Sequence, residues 1–191
     1  YTMKALYSFF STTSVGLAIV VDDNSKGFAK YAEEISRTPK FDGQKVITYH
    51  FDTWGGLTRS WNKGLEIAAQ HGADYACPSN NDIIFTERWY EGLLHALENG
   101  SALSGPVSNA PGITAKGRAE VWRYVNDYKT TDDIAYLNKI AEELRRRNMG
   151  KVVEAHVNGF FQIGKMSSFE EGKYDADHYY CTSNDFNSKG Q

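Results

Sequence analysis

Short apolar runs alternate with amphipathic stretches through the first half of this chain, and that alternation restricts the fold more than any other feature. Ala5 to Phe10, Leu17 to Val21, Val46 to Phe51, Tyr75 to Cys77 and Leu103 to Val107 each read as a strand. Between them, Gly27 to Ser36, Leu57 to His71 and Trp89 to Leu97 read as helices. In the second, Leu57, Trp61, Leu65 and Ala68 keep helical spacing, and the third ends at the C-cap pair Asn99-Gly100. Strands alternating with helices predict an α/β fold with a mainly parallel sheet flanked by helices. In such sheets ligands bind outside the carboxyl ends of the strands.

Two acidic groups fall at those ends. Asp22-Asp23-Asn24-Ser25 follows one strand, and Ser79-Asn80-Asn81-Asp82 follows another. A lone carboxylate flanked by amides suits a hard divalent cation that keeps phosphate oxygens and water as its other ligands. Local chemistry explains the same residues in another way. Asn and Asp favour turns, and Asp22 to Ser25 would also cap the following helix. A third acidic group, Asp175, Asp177 and Asp185, lies in a polar tail from Phe169 to Gln191. That tail reads as an active-site lid rather than core.

The second half is less regular. Glu120 to Tyr128 and Asp132 to Met149 have helical patterns, the latter with Ile134, Leu137, Ile140, Ala141 and Leu144 as a packing face. The basic run Arg145-Arg146-Arg147 reads as a solvated helix end that complements the dipole. Val152 to Ile163 reads as one or two strands broken at Asn158-Gly159.

Composition sets the outer limits. The chain has 191 residues, enough to bury a core as a single domain, and a net charge of -3, which argues against a nucleic-acid binder. Cys77 and Cys181 lack a CxxC partner, so zinc is not expected, and this sparse usage fits a reducing, cytoplasmic compartment. No apolar run is long enough to span a membrane, and no signal-peptide pattern is present. The start at Tyr1 and the end at Gln191 without a helix stop suggest one domain of a longer protein.

In order along the chain, these motifs resemble the GT-A fold glycosyltransferases, especially family 2. Val20-Val21-Asp22-Asp23-Asn24-Ser25 resembles the family's strand-end signature for uracil and ribose. Gly56 to Gly64, with Arg59 and Asn62, resembles the helix that follows, and Asn80-Asn81-Asp82 resembles the "DxD" metal motif. Ser104 to Asn109 resembles the next strand, and Asn158-Gly159-Phe160-Phe161 the acceptor-side strand. Gly172-Lys173-Tyr174-Asp175 with Asn184-Asp185 resembles the stretch that supplies the catalytic base. The resemblance covers Leu17 to Asp185 and extends to virus-encoded sugar transferases of this type.

It implies a nucleotide-binding half over 1–110 and an acceptor-side half over 111–191. The implied reaction is inverting transfer of a hexose from a nucleotide-diphosphate donor, UDP-sugar favoured, to a hydroxyl of a glycan or glycoprotein, with Mn²⁺ or Mg²⁺. By the same resemblance Asp185 is the base and Asp22, Asp23, Asn80 and Asn81 meet the nucleotide, with Arg59 and Asn62 beside them. Asp82, joined by His178, holds the metal, and Asn158, Gly159 and Phe160 face acceptor and sugar. Arg59 has a second reading as a tie between helix and sheet. Trp54, Trp89, Trp122 and Phe160 either stack on sugars or pack in the core.

Two departures from the family pattern stand out. The metal motif retains only its last carboxylate. The seven residues Ser11 to Leu17 are too few for a crossover between parallel strands, which takes about a dozen. The sequence leaves two other readings open. One is a nucleotide-sugar or carbohydrate-binding domain with degenerate catalysis. The other is a sugar nucleotidyltransferase, disfavoured because Ser11 to Gly16 lacks a basic residue.

Overall fold

The computed structural model describes residues 1–14, 16–38, 44–107, 133–148, 150–152, 157, 159–171 and 174. The chain opens with a helix, α1 (Thr2–Thr12), where a strand was expected. Met3, Leu6 and Phe10 recur at helical spacing, and the consecutive apolar letters of Ala5 to Phe10 hide that period. Leu6 and Phe10 are buried on one side while Tyr7 is 48% exposed on the other. This also removes the crossover problem, because α1 feeds directly into β1 (Gly16–Asp22).

Next come α2 (Phe28–Ser36), β2 (Gln44–His50) and α3 (Leu57–Gln70). β1 and β2 pair in parallel, in register from Gly16↔Gln44 to Asp22↔His50. Side chains alternate across β1. Ala18 and Val20 pack with Leu6, Phe10 and Ile35 of α1 and α2, whereas Ile19 packs with Leu65 and Ala68 of α3. Helices thus pack against both faces of the strand, although each of its residues stays half-buried.

A second sheet contains β3 (Tyr75–Ala76), β4 (Leu103–Ser104) and β5 (Ile163–Lys165) in the order β3-β5-β4, antiparallel at both seams. The pattern predicted parallel pairing here too; among the described residues it is confined to β1 and β2. Past β3 the ladder continues. Gln162 N–H donates to the Pro78 carbonyl at 3.0 Å, and Asn80 N–H donates to the Phe160 carbonyl at 2.8 Å. α4 (Glu91–Glu98) covers this sheet, Leu93 and Leu97 meeting Phe161 and Ile163.

Two further elements correct the sequence reading. In α5 (Ile134–Asn148) the expected packing face is half-buried at Leu137, Ile140, Ala141 and Leu144, while Ile134 is 45% exposed. The helix is held to the turn before α4 by polar contacts: Arg145, paired with Glu142 on its own helix, donates to the Glu87 carbonyl, and Glu87 N–H donates to Asn138. Arg145 is therefore a docking residue rather than a solvated end. The tail begins inside the core, because Phe169 of α6 (Met166–Glu171) is 3% exposed and packs with Leu65, Ala68 and Ala76. Among the described residues no helix is long and apolar enough to cross a membrane. Cys77 is a half-buried free thiol whose packing pushes its pKa up, as expected of an inert structural cysteine.

Candidate active site

A cleft of about 1410 Å³ runs between the two sheets. Its wall is built from α1, β1, α3 and the segment from Ala73 to Asn81; Asp22 and Asp23 line it past the end of β1 and Asn80 and Asn81 past the end of β3, with Asp74 at the start of β3. The topology thus brings together two segments that are far apart in sequence.

Asp22 ends β1. Its Oδ2 accepts a hydrogen bond from Ser25 N–H at 2.8 Å and lies 2.7 Å from Nδ1 of His50, its partner across the parallel register. Burial alone would raise the pKa of this carboxyl. The Ser25 hydroxyl and N–H, together with His50, outweigh burial and hold the carboxyl below the usual aspartate value.

Asp23 is saturated by a different set. Its oxygens accept from Gly55 N–H at 3.0 Å and Gly56 N–H at 2.6 Å, and from Arg59 Nη2 at 2.5 Å. Gly56 adopts φ +86°, a conformation open to glycine, and so turns its N–H toward the carboxylate. Gly55 is needed for a different reason: a Cβ there would lie 2.7 Å from Arg59 Cδ and closer still to the guanidinium. Arg59 also donates to the Thr53 carbonyl and stacks 3.8 Å from the centre of the Phe51 ring. Through these contacts Arg59 ties α3 to Asp23 and to the loop after β2, one of the two readings the sequence leaves open. The Asp23 carboxylate thus sits just ahead of the N-terminus of α3, held by the two amides that precede the helix.

Asn62, one turn further along α3, clamps the chain itself. Its Nδ2 donates to the Tyr174 carbonyl at 2.7 Å, and Tyr174 N–H donates back to Oδ1 at 3.2 Å. The Tyr174 hydroxyl donates to Gln162, and its ring meets Trp61 edge-on at 5.2 Å. With the Phe169 ring of α6 6.1 Å away, α3, α6 and the segment before β5 converge on this one residue.

At the opposite wall, backbone pairing zips Asn80 to Phe160, so the segments that the sequence resemblance links to metal and acceptor are neighbours. Asn81 donates to the Thr2 hydroxyl at 3.0 Å. Asp82 is exposed and, among the described residues, takes part in no hydrogen bond or ion pair. No group of three metal-ligating side chains occurs among the described residues. A single open carboxylate fits a cation held mainly by diphosphate and water, and does not fit a cage of protein ligands. Trp89 packs among Phe85, Phe161 and Phe9 as core, and Phe160 borders the same cluster; Gly159 lies in the turn just before it. Trp54, 67% exposed, stands on the cleft wall. Trp122, Asn158, Asp175, Asp177, His178, Cys181, Asp185 and the segments 108–109 and 120–128 lie outside the described residues.

Sequence reading missed His50, which could have been found from its place at a strand end parallel to Asp22. It named Tyr174 within the Gly172 to Asp175 motif but not its clamp on Asn62, because those partners come from remote segments.

A family model described as "Glycosyl transferase family 2" matches residues 18–172. The match takes in Asp22, Asp23, Arg59, Asn62, Asn80, Asn81, Asp82 and Asn158 to Phe160, and stops short of His178 and Asp185. No curated protein and no solved structure matches the chain.

Proposed function

The chain belongs to glycosyl transferase family 2, and from that membership we propose that it transfers a sugar, with inversion, from a UDP-sugar to a glycan hydroxyl. Membership carries the GT-A fold, a nucleotide-sugar donor and an acceptor. Inversion, the UDP donor, the metal and the glycan acceptor make up the finer proposal. The observation that carries it is the meeting of Asp22 and Asp23 with Asn80 and Asn81 around one cleft, at the strand ends where α/β proteins bind ligands.

Asp22 meets the base or ribose of the donor, while Asp23 shapes the floor beneath it through Gly55, Gly56 and Arg59. Asp82 would hold Mn²⁺ or Mg²⁺ together with the diphosphate oxygens. When bound, the cation supplies charge neutralisation at the departing diphosphate. The acceptor oxygen attacks the anomeric carbon as the bond to the diphosphate oxygen breaks. The hydroxyl proton passes to Asp185, the base. Gly159 and Phe160 border the acceptor side.

The test is calorimetric binding of a nucleotide-sugar panel with and without Mn²⁺, followed by assay of the released nucleoside diphosphate. Asp82→Ala is expected to abolish Mn²⁺-dependent transfer, and Asp185→Asn to leave donor binding intact while removing turnover. Near-normal turnover in Asp185→Asn would overturn the base assignment. The single carboxylate of Asn80-Asn81-Asp82 favours one rival, a domain that binds the donor without turning it over. Saturable donor binding with no released nucleoside diphosphate would establish that rival.

A further inference from the structure

His50 is the last residue of β2 and sits directly opposite Asp22, the last residue of β1. Its Nδ1 lies 2.7 Å from Asp22 Oδ2, and its ring stacks on Phe28, centroids 5.2 Å apart and planes 10° from parallel. Phe28 is the first residue of α2 and lines the cleft with Asp22. Two strand ends and a helix start therefore converge on one imidazole. The stack fixes the ring plane, the short contact turns Nδ1 toward the carboxylate, and Ser25 N–H holds the same carboxylate oxygen. A carboxylate already held in one rotamer loses little further freedom on meeting a ligand.

We propose that His50 is a positioning residue: backed by Phe28, it presets the Asp22 carboxylate for the nucleotide. This rests on the reading that Asp22 meets the donor. The role is distinct from a structural tie, because the β1–β2 ladder already joins the strands through seven paired positions without any side chain.

Two substitutions separate the hydrogen bond from the ring. His50→Phe keeps the stack on Phe28 and removes the donor. His50→Asn places an amide N–H near the Nδ1 position and removes the ring. Asp22→Ala reports on the underlying reading. The probe is UDP, titrated calorimetrically, with KM and kcat for the donor and the thermal unfolding midpoint measured alongside. Asp22→Ala is expected to weaken UDP by tenfold or more. His50→Phe is expected to weaken UDP by about tenfold and raise KM, with kcat and the midpoint unchanged. His50→Asn should recover most of that loss.

If Asp22→Ala weakens UDP and His50→Phe does not, the inference about His50 fails while the functional reading stands. If Asp22→Ala binds UDP normally, the reading of Asp22 fails. A fall in binding that follows the unfolding midpoint in both His50 variants would make the residue a structural tie and overturn the proposal.

Discussion

Asp23 and Arg59 meet at 2.5 Å across 36 residues of sequence and close the carboxyl end of β1 onto the first turn of α3. Both side chains are largely enclosed, at 19% and 28% exposure, so the pair is screened less than a surface salt bridge. It sits where the helix dipole favours an anion, and two amide N–H groups share the same carboxylate. A strand end and a helix start are thereby locked together under the cleft.

Arg59→Ala is expected to cost about 1–3 kcal/mol, because Asp23 loses its cation while keeping its amide donors. Arg59→Lys should recover less than half of that, since a single ammonium cannot serve Asp23 and Thr53 together over the Phe51 ring. Urea unfolding of the three proteins measures both. An Arg59→Ala protein as stable as the parent would mean that the pair contributes nothing.

Gly55→Ala should produce the same damage by another route, the new methyl displacing the guanidinium. The two changes then act on one interaction, so their costs should be strongly non-additive in a double-mutant cycle. Full additivity would show that the Gly55 side of the turn is independent of Arg59.

Asn62→Ala leaves the N–H and carbonyl of Tyr174 without their clamp. The expected cost is about 1–3 kcal/mol in denaturant unfolding. Because the proposed base Asp185 follows Tyr174 in the chain, kcat should fall while donor affinity is retained. A loss of donor affinity with unchanged kcat would instead place Asn62 at the nucleotide.

Acid stability should carry the signature of Asp22. Burial opposes ionisation, but Ser25 and His50 hold the folded pKa below the ordinary value near ~3.9 that the unfolded chain restores. The associated stability is therefore fully present above that ordinary value and is lost as pH falls through the lowered folded value. Asp22→Asn is expected to flatten this limb when unfolding free energy is followed from about pH 6 to about pH 2. An unchanged slope would assign acid sensitivity to other carboxylates.

The alternation of β1, α2, β2 and α3 was legible in the sequence because short apolar runs alternate with stretches that carry a helical stripe. Leu17 to Val21 is uniformly apolar, and Leu57, Trp61, Leu65 and Ala68 recur on one face. α1 was misread as a strand because consecutive apolar residues conceal a helical stripe, and the stripe's value appears only when Leu6 and Phe10 meet Ile35 and Ala18. Phe169 was assigned to a polar tail for a similar reason. Composition around it is hydrophilic, yet its own ring lies in the core.

For the candidate site, the sequence alone determined which chemical groups stand at strand ends, since the apolar runs stop where Asp22 and Asn80 begin. It also marked Asp82 as the motif's one surviving carboxylate. Only the tertiary structure decided which of those groups are already engaged. Asp23 pairs with Arg59, Asn62 bonds Tyr174, Asp22 shares His50, and Asp82 stays open to solvent. The physical reason is that hydrogen-bond saturation depends on partners brought within about 3 Å by folding. Such partners leave no periodic trace in the sequence.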